Sequence, residues 1–353
     1  MQGPVQLRRA YYYCGRCRQG FVPYDEALGL RDEISPGLRP LVCLAGTLLP
    51  FADASQDLLR RFLGVQVSPT AVLRCTQGEG ERLRAQQRDG RMARPSQREP
   101  GWTAPRPAGQ PAAYVGLDAF SVPMQGVQAC HVEHRMLYTA RLYTPDKKHS
   151  RYLVDFDLDS LAAQVRAQAR ACGLQATADL IAITDGGQGL EEALQRHLAV
   201  DVVTILDWYH AAEHVCAFAK VLHAHDDAAR RRWAQQAKGI LYEQGGVALL
   251  AHLRAVTVPP RGGAAVGEEL RKLLGYFENN RHRTDYPTYR RRGWDIGSGP
   301  TEAGCKIIGA RLKGSGMRWV EDGAATVAAL RALYVSGGKL WDGFWAQPHR
   351  PAA

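Results

Sequence analysis

The chain has 353 residues, a formal net charge of +10 and a pI of about 9.3, enough for about two domains with a real core. No apolar leader and no span of about 18 apolar residues is present, so a soluble intracellular protein is expected rather than a secreted or membrane one. Eight scattered cysteines do not make a disulfide scaffold in a chain of this size. The charge is uneven: residues 1–110 carry net +6, 111–269 net −3 and 270–320 net +7. Two basic regions bracket a slightly acidic body, which favours a polyanionic partner.

Cys14 and Cys17 form a CxxC knuckle in the first segment, 1–35. A structural zinc site takes about four ligands, and the other cysteines stand alone at 43, 75, 130, 172, 216 and 305. The pair is therefore either half of a zinc ribbon or two free thiols in a turn. Residues 36–86 read as three helices, over 36–49, 52–63 and 69–86. The last two are joined by a short turn with Gly64, with Ser68 as cap and Pro69 at the first helical position. That is a helix-turn-helix pattern, although an ordinary helical bundle would read the same way. Arg74, Arg82 and Arg84 place positive charge on the candidate recognition helix. Residues 87–112 hold Pro95, Pro100, Pro105, Pro107 and Pro111 and read as a linker.

Strands are expected over 111–124, 130–143 and 151–156, followed by a helix over 161–172 that closes at Gly173. A strand over 179–184 ends at Asp185. A short helix over 190–197 and a strand over 202–206 follow. The order βββαβαβ is that of an RNase H-like core, a mixed sheet flanked by helices, expected over 113–207. From 208 to 293 the pattern turns helical, over 208–225, 228–244, 247–255 and 268–280. Gly299 and Pro300 fit a new helix start ahead of Glu302, so the helical block reads as an insertion and 294–353 as the return to the core. The fold class is thus α+β: an RNase H-like mixed-sheet core with a helical insertion domain, preceded by a small helix-turn-helix domain.

Asp118 interrupts the apolar run 113–117, and Asp185 ends the apolar run 180–184. A carboxylate in a buried strand is costly unless it is paired, hydrogen-bonded or metal-bound. Taken alone, Asp185 is equally the start of an Asp-Gly turn, and Glu302 equally a complement to its helix dipole. Together, three carboxylates at strand and helix ends of a basic chain suggest a divalent-metal site that works on phosphates. Mg²⁺ takes oxygen ligands from a few carboxylates and the substrate phosphate, and two ions can serve an in-line displacement. Lys306 and Lys313 fall on the helical face of Glu302. Asp207 ends the last strand and fits an N-cap.

Residues 210–214 match HxxEH, the inverted zinc-peptidase motif, with Glu278 a conceivable third ligand. Peptide hydrolysis would explain neither the basic flanks nor Asp118 and Asp185. Arg311 and Arg318 belong to a second basic cluster interleaved with Tyr286, Tyr289, Trp294 and Trp319. This cluster is either a solvated face or, beside a metal site, a nucleic-acid groove.

Four stretches are similar to a known family. They are Cys14-Gly15-Arg16-Cys17-Arg18-Gln19-Gly20-Phe21 with Asp25-Glu26-Ala27-Leu28-Gly29-Leu30, Ile205-Leu206-Asp207-Trp208-Tyr209-His210-Ala211-Ala212-Glu213-His214, Ile296-Gly297-Ser298-Gly299 with Glu302, and Arg311-Leu312-Lys313-Gly314-Ser315-Gly316-Met317-Arg318-Trp319. Over nearly its whole length the chain resembles bacterial insertion-sequence transposases of the ISKra type, relatives of the Mutator-like DDE transposases. The resemblance implies that Asp118, Asp185 and Glu302 are the DDE triad, holding Mg²⁺ or Mn²⁺ as two ions. It implies that Asp207 and His210 are the D(2)H pair beside the active site, and that the helical block is the family's insertion domain. It implies double-stranded DNA as partner, at terminal inverted repeats and target; the contacts expected from the sequence are Arg74, Arg82 and Arg84 on the candidate recognition helix, Lys306 and Lys313 on the face of Glu302, and Arg311 and Arg318 of the second basic cluster. A homodimer or larger assembly in the bacterial cytoplasm, at the nucleoid, goes with it.

The family's N-terminus is usually longer, with the partner zinc ligands upstream. Met1 thus suggests a truncated or late-started copy in which Cys14 and Cys17 remain an incomplete zinc pair. The rival functions are a non-cutting DNA-binding remnant and, far behind, a zinc peptidase.

Overall fold

The computed structural model describes residues 7–105, 109–126, 132–174, 180–187, 189–198, 202–258 and 263–347. The expected strand starts at 130 and 179, and Pro107 of the expected linker, lie outside these residues. The chain divides into two compact units, Met1–Arg84 with Glu321–Arg331, and Ala85–Val320 with Ala332–Ala353. Among the described residues no helix is long and apolar enough to cross a membrane.

The first unit opens with an antiparallel hairpin of β1 (Tyr12–Cys14) and β2 (Gln19–Phe21), in which Cys14 pairs with Gln19. Helices α1 (Pro23–Ala27), α2 (Arg39–Leu48) and α3 (Phe51–Asp53) follow, and α3 runs on as a π-helix over Ala54–Phe62. The expected second helix is thus present but wider than α-helical. Gly64, at φ +68°, turns the chain as only glycine does readily. The turn is closed by the Ser55 hydroxyl, which donates to the Val67 carbonyl at 2.6 Å. Pro69 then starts α4 (Pro69–Arg88), with Ser68 Oγ accepting from the Ala71 amide at 3.2 Å. Val42, Ala54, Leu59, Val72 and Leu83 form the unit's interior. Gly46 allows α2 to approach Val72 and Thr76 of α4, and Gly80 of α4 lies against the backbone of Thr326.

The second unit is built on a mixed five-stranded sheet. Its strands are β3 (Ala113–Gln125), β4 (Val132–Tyr143), β5 (Ser150–Asp155), β6 (Leu180–Thr184) and β7 (Val203–Leu206), in the order β5-β4-β3-β6-β7. β3, β4 and β5 are antiparallel, and β6 and β7 are parallel to β3. Successive side chains alternate between faces. Ala113, Val115 and Leu117 of β3 and Leu180 and Ala182 of β6 pack with α5 (Leu158–Ala171) and α6 (Leu190–His197). Tyr114, Ile181 and Ile183 pack instead with the helices that follow β7. These are α7 (Trp208–Leu222), α8 (Asp227–Gln244), α9 (Gly246–Arg254), α10 (Gly263–Asn279) and α11 (Tyr286–Arg291). α12 (Gly299–Leu312), α13 (Glu321–Val335) and α14 (Gly338–Ala346) end the chain.

Two expectations need correction. The stretch after α4 is not a free tether among its described residues. Met92, Ala93 and Trp102 are buried, with Met92 and Trp102 in the core beside Val115 and Leu142. Glu99 accepts from the Trp102 indole at 3.2 Å and pairs with the buried Arg151. One tryptophan and one ion pair outweigh the local polarity. Residues 294–353 also do not stay together: Glu321–Arg331 clusters with the first unit, where Ala324, Ala325, Val327, Ala328 and Leu330 give it an apolar surface to bury.

Candidate active site

Strand register brings three aspartates together. Leu117 of β3 is in register with Thr184 of β6, and Thr184 with Leu206 of β7. The residues that follow, Asp118, Asp185 and Asp207, therefore stand in a row across three neighbouring strands, Asp118 midway along β3 and the other two just past the ends of β6 and β7. The Asp207 amide confirms the spacing by donating to the Thr184 carbonyl at 2.8 Å. Asp118 Oδ1 accepts from the Ala119 amide at 2.7 Å. Asp185 Oδ1 accepts from the Gly187 amide at 2.9 Å, across a turn that Gly186 permits with φ +88°. One oxygen of each carboxylate is thereby fixed by backbone.

Glu302 arrives from α12, which lies along one face of β3. Gly116 has no Cβ because the side chain of Thr301 occupies that space, and a Cβ on Gly309 would lie 3.4 Å from the Phe120 ring. Gly304 is filled in the same way by Tyr152 of β5. Between the first two contacts, Asp118 faces Cys305, and Glu302 sits one turn before Cys305. Arg141 of β4 ties down the helix start by donating to the Pro300 carbonyl. The resulting cavity, about 330 Å³, is lined by Asp118, Asp185 and Glu302 together with Leu117, Ala119, Phe120, His210, Ser298, Cys305, Lys306 and Lys313.

Asp207 is behind the wall rather than in it. It is 1 % exposed and makes four contacts. Its Oδ1 accepts from the amides of Tyr209 and His210 at 2.7 and 3.3 Å, capping α7. Its Oδ2 accepts from the Ser298 amide at 2.9 Å and from the Ser298 hydroxyl. Ser298 is the N-cap of α12, so Asp207 fixes the helix that carries Glu302. His210 lines the cavity and stands edge-on to His214, ring centroids 5.1 Å apart. His214 packs on Tyr276 of α10 at 4.1 Å, and the Tyr276 hydroxyl donates to the Asp185 carbonyl at 3.3 Å.

The environment tunes two of these groups. Burial, and then His210, depresses the pKa of His214. Burial, and then the charge of Asp118, pushes the Cys305 thiol far up.

The donor set is hard oxygen, which suits Mg²⁺ or Mn²⁺. Among the described residues, no three His, Cys, Asp or Glu side chains are gathered closely enough to form a metal-binding group. The three carboxylates share a cavity, but an ion bound there would need water or phosphate as further ligands. Glu278, the conceivable third zinc ligand, pairs with Arg254 instead. Cys14 and Cys17 are exposed thiols at the β1–β2 turn, and amides of Cys17 and Arg16 help hold Cys14 below the usual thiol range.

The expected DNA contacts divide. Arg74, Lys306, Lys313 and Arg318 are exposed. Arg311 is not available to DNA: it is 4 % exposed, stacked over Trp319 with its guanidinium 5.2 Å from the ring centroid and directed at Met317 Sδ. Arg82 is held by Glu79 at 2.6 Å, and Arg84 by Glu81 and Asp322 at 3.4 and 3.5 Å. Both arginines are therefore committed to the protein. Phe120, Ser298, Cys305 and Tyr276 were missed by sequence reasoning. Phe120 and Cys305 were accessible to it, two residues after Asp118 on one strand face and three after Glu302 on one helix face. Tyr276 carried no such signal. No protein-family model and no curated protein sequence matches the chain.

Proposed function

We propose that the chain is a DDE transposase of an insertion sequence, a metal-dependent enzyme that cleaves DNA strands at element ends and transfers them to a target. The observation that carries this reading is the shared cavity, in which carboxylates from the middle of β3, the end of β6 and the start of α12 meet Lys306 of that helix and Lys313 at its C-cap. The sheet order, with β3 between an antiparallel and a parallel half, supports an RNase H-like core. The run α7–α11 between β7 and α12 supports a helical insertion, and α3–α4 with the Gly64 turn a helix-turn-helix.

In this reading Asp118, Asp185 and Glu302 supply the oxygen donors, and Asp207 holds Glu302 in place through Ser298. Lys306 and Lys313 draw the phosphodiester backbone along α12, and Phe120 and Cys305 give the cavity an apolar wall. Divalent ions, when bound, supply positive charge to the attacking and leaving oxygens of an in-line displacement. Water opens the phosphodiester at the element end, leaving a 3′-hydroxyl that attacks a target phosphate, with no covalent protein–DNA intermediate. The partners are double-stranded DNA and a second copy of the chain, at the nucleoid of a bacterial cytoplasm.

The test is incubation of the purified chain with a plasmid carrying the DNA that flanks its gene, with Mg²⁺ or Mn²⁺. Nicks ending in 3′-hydroxyl groups are expected at the element ends, and Asp118→Asn should abolish them while binding persists. Binding without nicking in either metal would point to a non-cutting remnant. Peptide cleavage would favour the HxxEH reading.

A further inference from the structure

Within the first unit, α2 and α4 each place one cysteine in the interior. Cys43 and Cys75 are 0 and 1 % exposed, both are free thiols, and their Sγ atoms lie 3.6 Å apart. The close approach is built into the helices: Gly46, one turn beyond Cys43, leaves room for Val72 and Thr76 on either side of Cys75. A third side chain enters the same space. Arg39, one turn before Cys43, donates Nη1 to Cys75 Sγ at 3.7 Å and Nη2 to the Arg31 carbonyl at 2.6 Å. Its charge is balanced by Glu79 at 3.4 Å, and both partners are buried.

Buried cysteines often serve as small apolar groups, but packing alone does not call for a guanidinium aimed at a sulfur. A cation beside a thiol favours the thiolate, the nucleophilic form. The two sulfurs are also unequal. Cys75 is held below the usual thiol range, first by its hydrogen bond with Cys43 and also by Arg39, while burial pushes Cys43 up.

We propose that Cys43 and Cys75 are a redox pair that closes to a disulfide between α2 and α4 when the protein meets a hydroperoxide. The Cys75 thiolate attacks one peroxide oxygen and the O–O bond breaks. The departing hydroxide takes a proton from solvent, and Cys75 becomes a sulfenic acid. The Cys43 sulfur then attacks Cys75 Sγ, forming the S–S bond as the S–O bond breaks. The hydroxide leaves with the Cys43 proton as water. Two thiols lose two electrons and two protons, and hydrogen peroxide becomes two waters. An S–S bond is about 2.05 Å long, so the sulfurs must close by about 1.5 Å. Access for the small oxidant comes from local opening of the unit, so the reaction is slower than at the exposed Cys14 and Cys17. This pairing stands whether or not the chain cuts DNA.

The experiment uses the full chain carrying Cys14→Ser and Cys17→Ser, which removes the exposed knuckle without touching the interior. The protein is treated with excess hydrogen peroxide, samples taken over time are quenched with a thiol-alkylating reagent in denaturant so that buried thiols are labelled, and the products are mapped by peptide mass. The expected result is that Cys43 and Cys75 lose alkylation together and appear as one cross-linked peptide pair lighter by two hydrogens. Dithiothreitol should restore both. Stable sulfinic acid at Cys75 without a cross-link would overturn the proposal. So would cross-linking of either residue to another cysteine, or persistence of both free thiols after Cys172 and Cys216 have oxidised.

Discussion

Asp207 is the residue on which the candidate site turns without touching its cavity. Replacing it by alanine removes the cap of α7 and leaves the buried Ser298 amide and hydroxyl without their acceptor. A lost cap costs about 1 kcal/mol and an unsatisfied buried polar group about 1–3, so Asp207→Ala should lower unfolding stability by about 2–4 kcal/mol in a denaturant titration. Asp207→Asn keeps the shape but loses charge-assisted acceptance, and should fall between the two. A second residue-scale expectation concerns pH. Burial beside His210 depresses His214 below its ordinary 6.5, so on acidification the unfolded chain binds the proton first. Stability is therefore full above about pH 6.5 and declines as pH falls from there toward the folded-state pKa. His214→Gln should flatten that part of a Tm-against-pH curve. An unchanged slope would assign the acid loss to other groups.

At the scale of elements, the seat of α12 on β3 decides whether Glu302 meets Asp118. Gly116→Ala puts a methyl group where the Thr301 side chain lies. Overpacking of this kind costs about 1–3 kcal/mol. It should also lift the helix start, so that strand cleavage falls more than DNA binding; Thr301→Ala in the same chain should recover part of both. Equal stability and activity in Gly116→Ala would mean that the helix is not seated as described. Some of these elements were plain in the sequence. α6 spans the expected 190–197 because its apolar positions and flanking Gly189 punctuate it, and Gly299 with Pro300 marked the start of α12. Others were hidden for physical reasons. The π-helix keeps the apolar spacing of an ordinary helix closely enough to pass as one. Arg311 reads as a surface charge until Trp319 and Met317 fold over it. α11 is short, and the arginines Arg290 and Arg291 mask its buried Tyr286 and Tyr289. The row of Asp118, Asp185 and Asp207 depends on strand order, which no local pattern encodes; the apolar runs single out Asp118 and Asp185, and only the family resemblance adds Asp207 to them.

For the whole molecule, net charge is expressed as salt dependence. If both basic regions meet DNA, log affinity should fall with log salt at about −0.9 per phosphate contacted. Lys306→Ala and Lys313→Ala should each flatten that slope by about one unit. Arg311→Ala should leave the slope unchanged and lower the melting temperature, because its partners are Met317 and Trp319. A wild-type slope near zero would remove the DNA-binding role of both regions. The order in which the cavity is assembled has a consequence during synthesis. A ribosome delivers Asp118 and Asp185 on neighbouring strands early, later the five helices α7–α11, and only afterwards the Gly299–Leu312 helix with Glu302 and Lys306, followed by Lys313. A chain stalled anywhere in those five helices possesses two of the three carboxylates and neither lysine of the wall. Under the proposed function, nascent and prematurely terminated products would therefore lack the third oxygen donor, because Glu302 is made last.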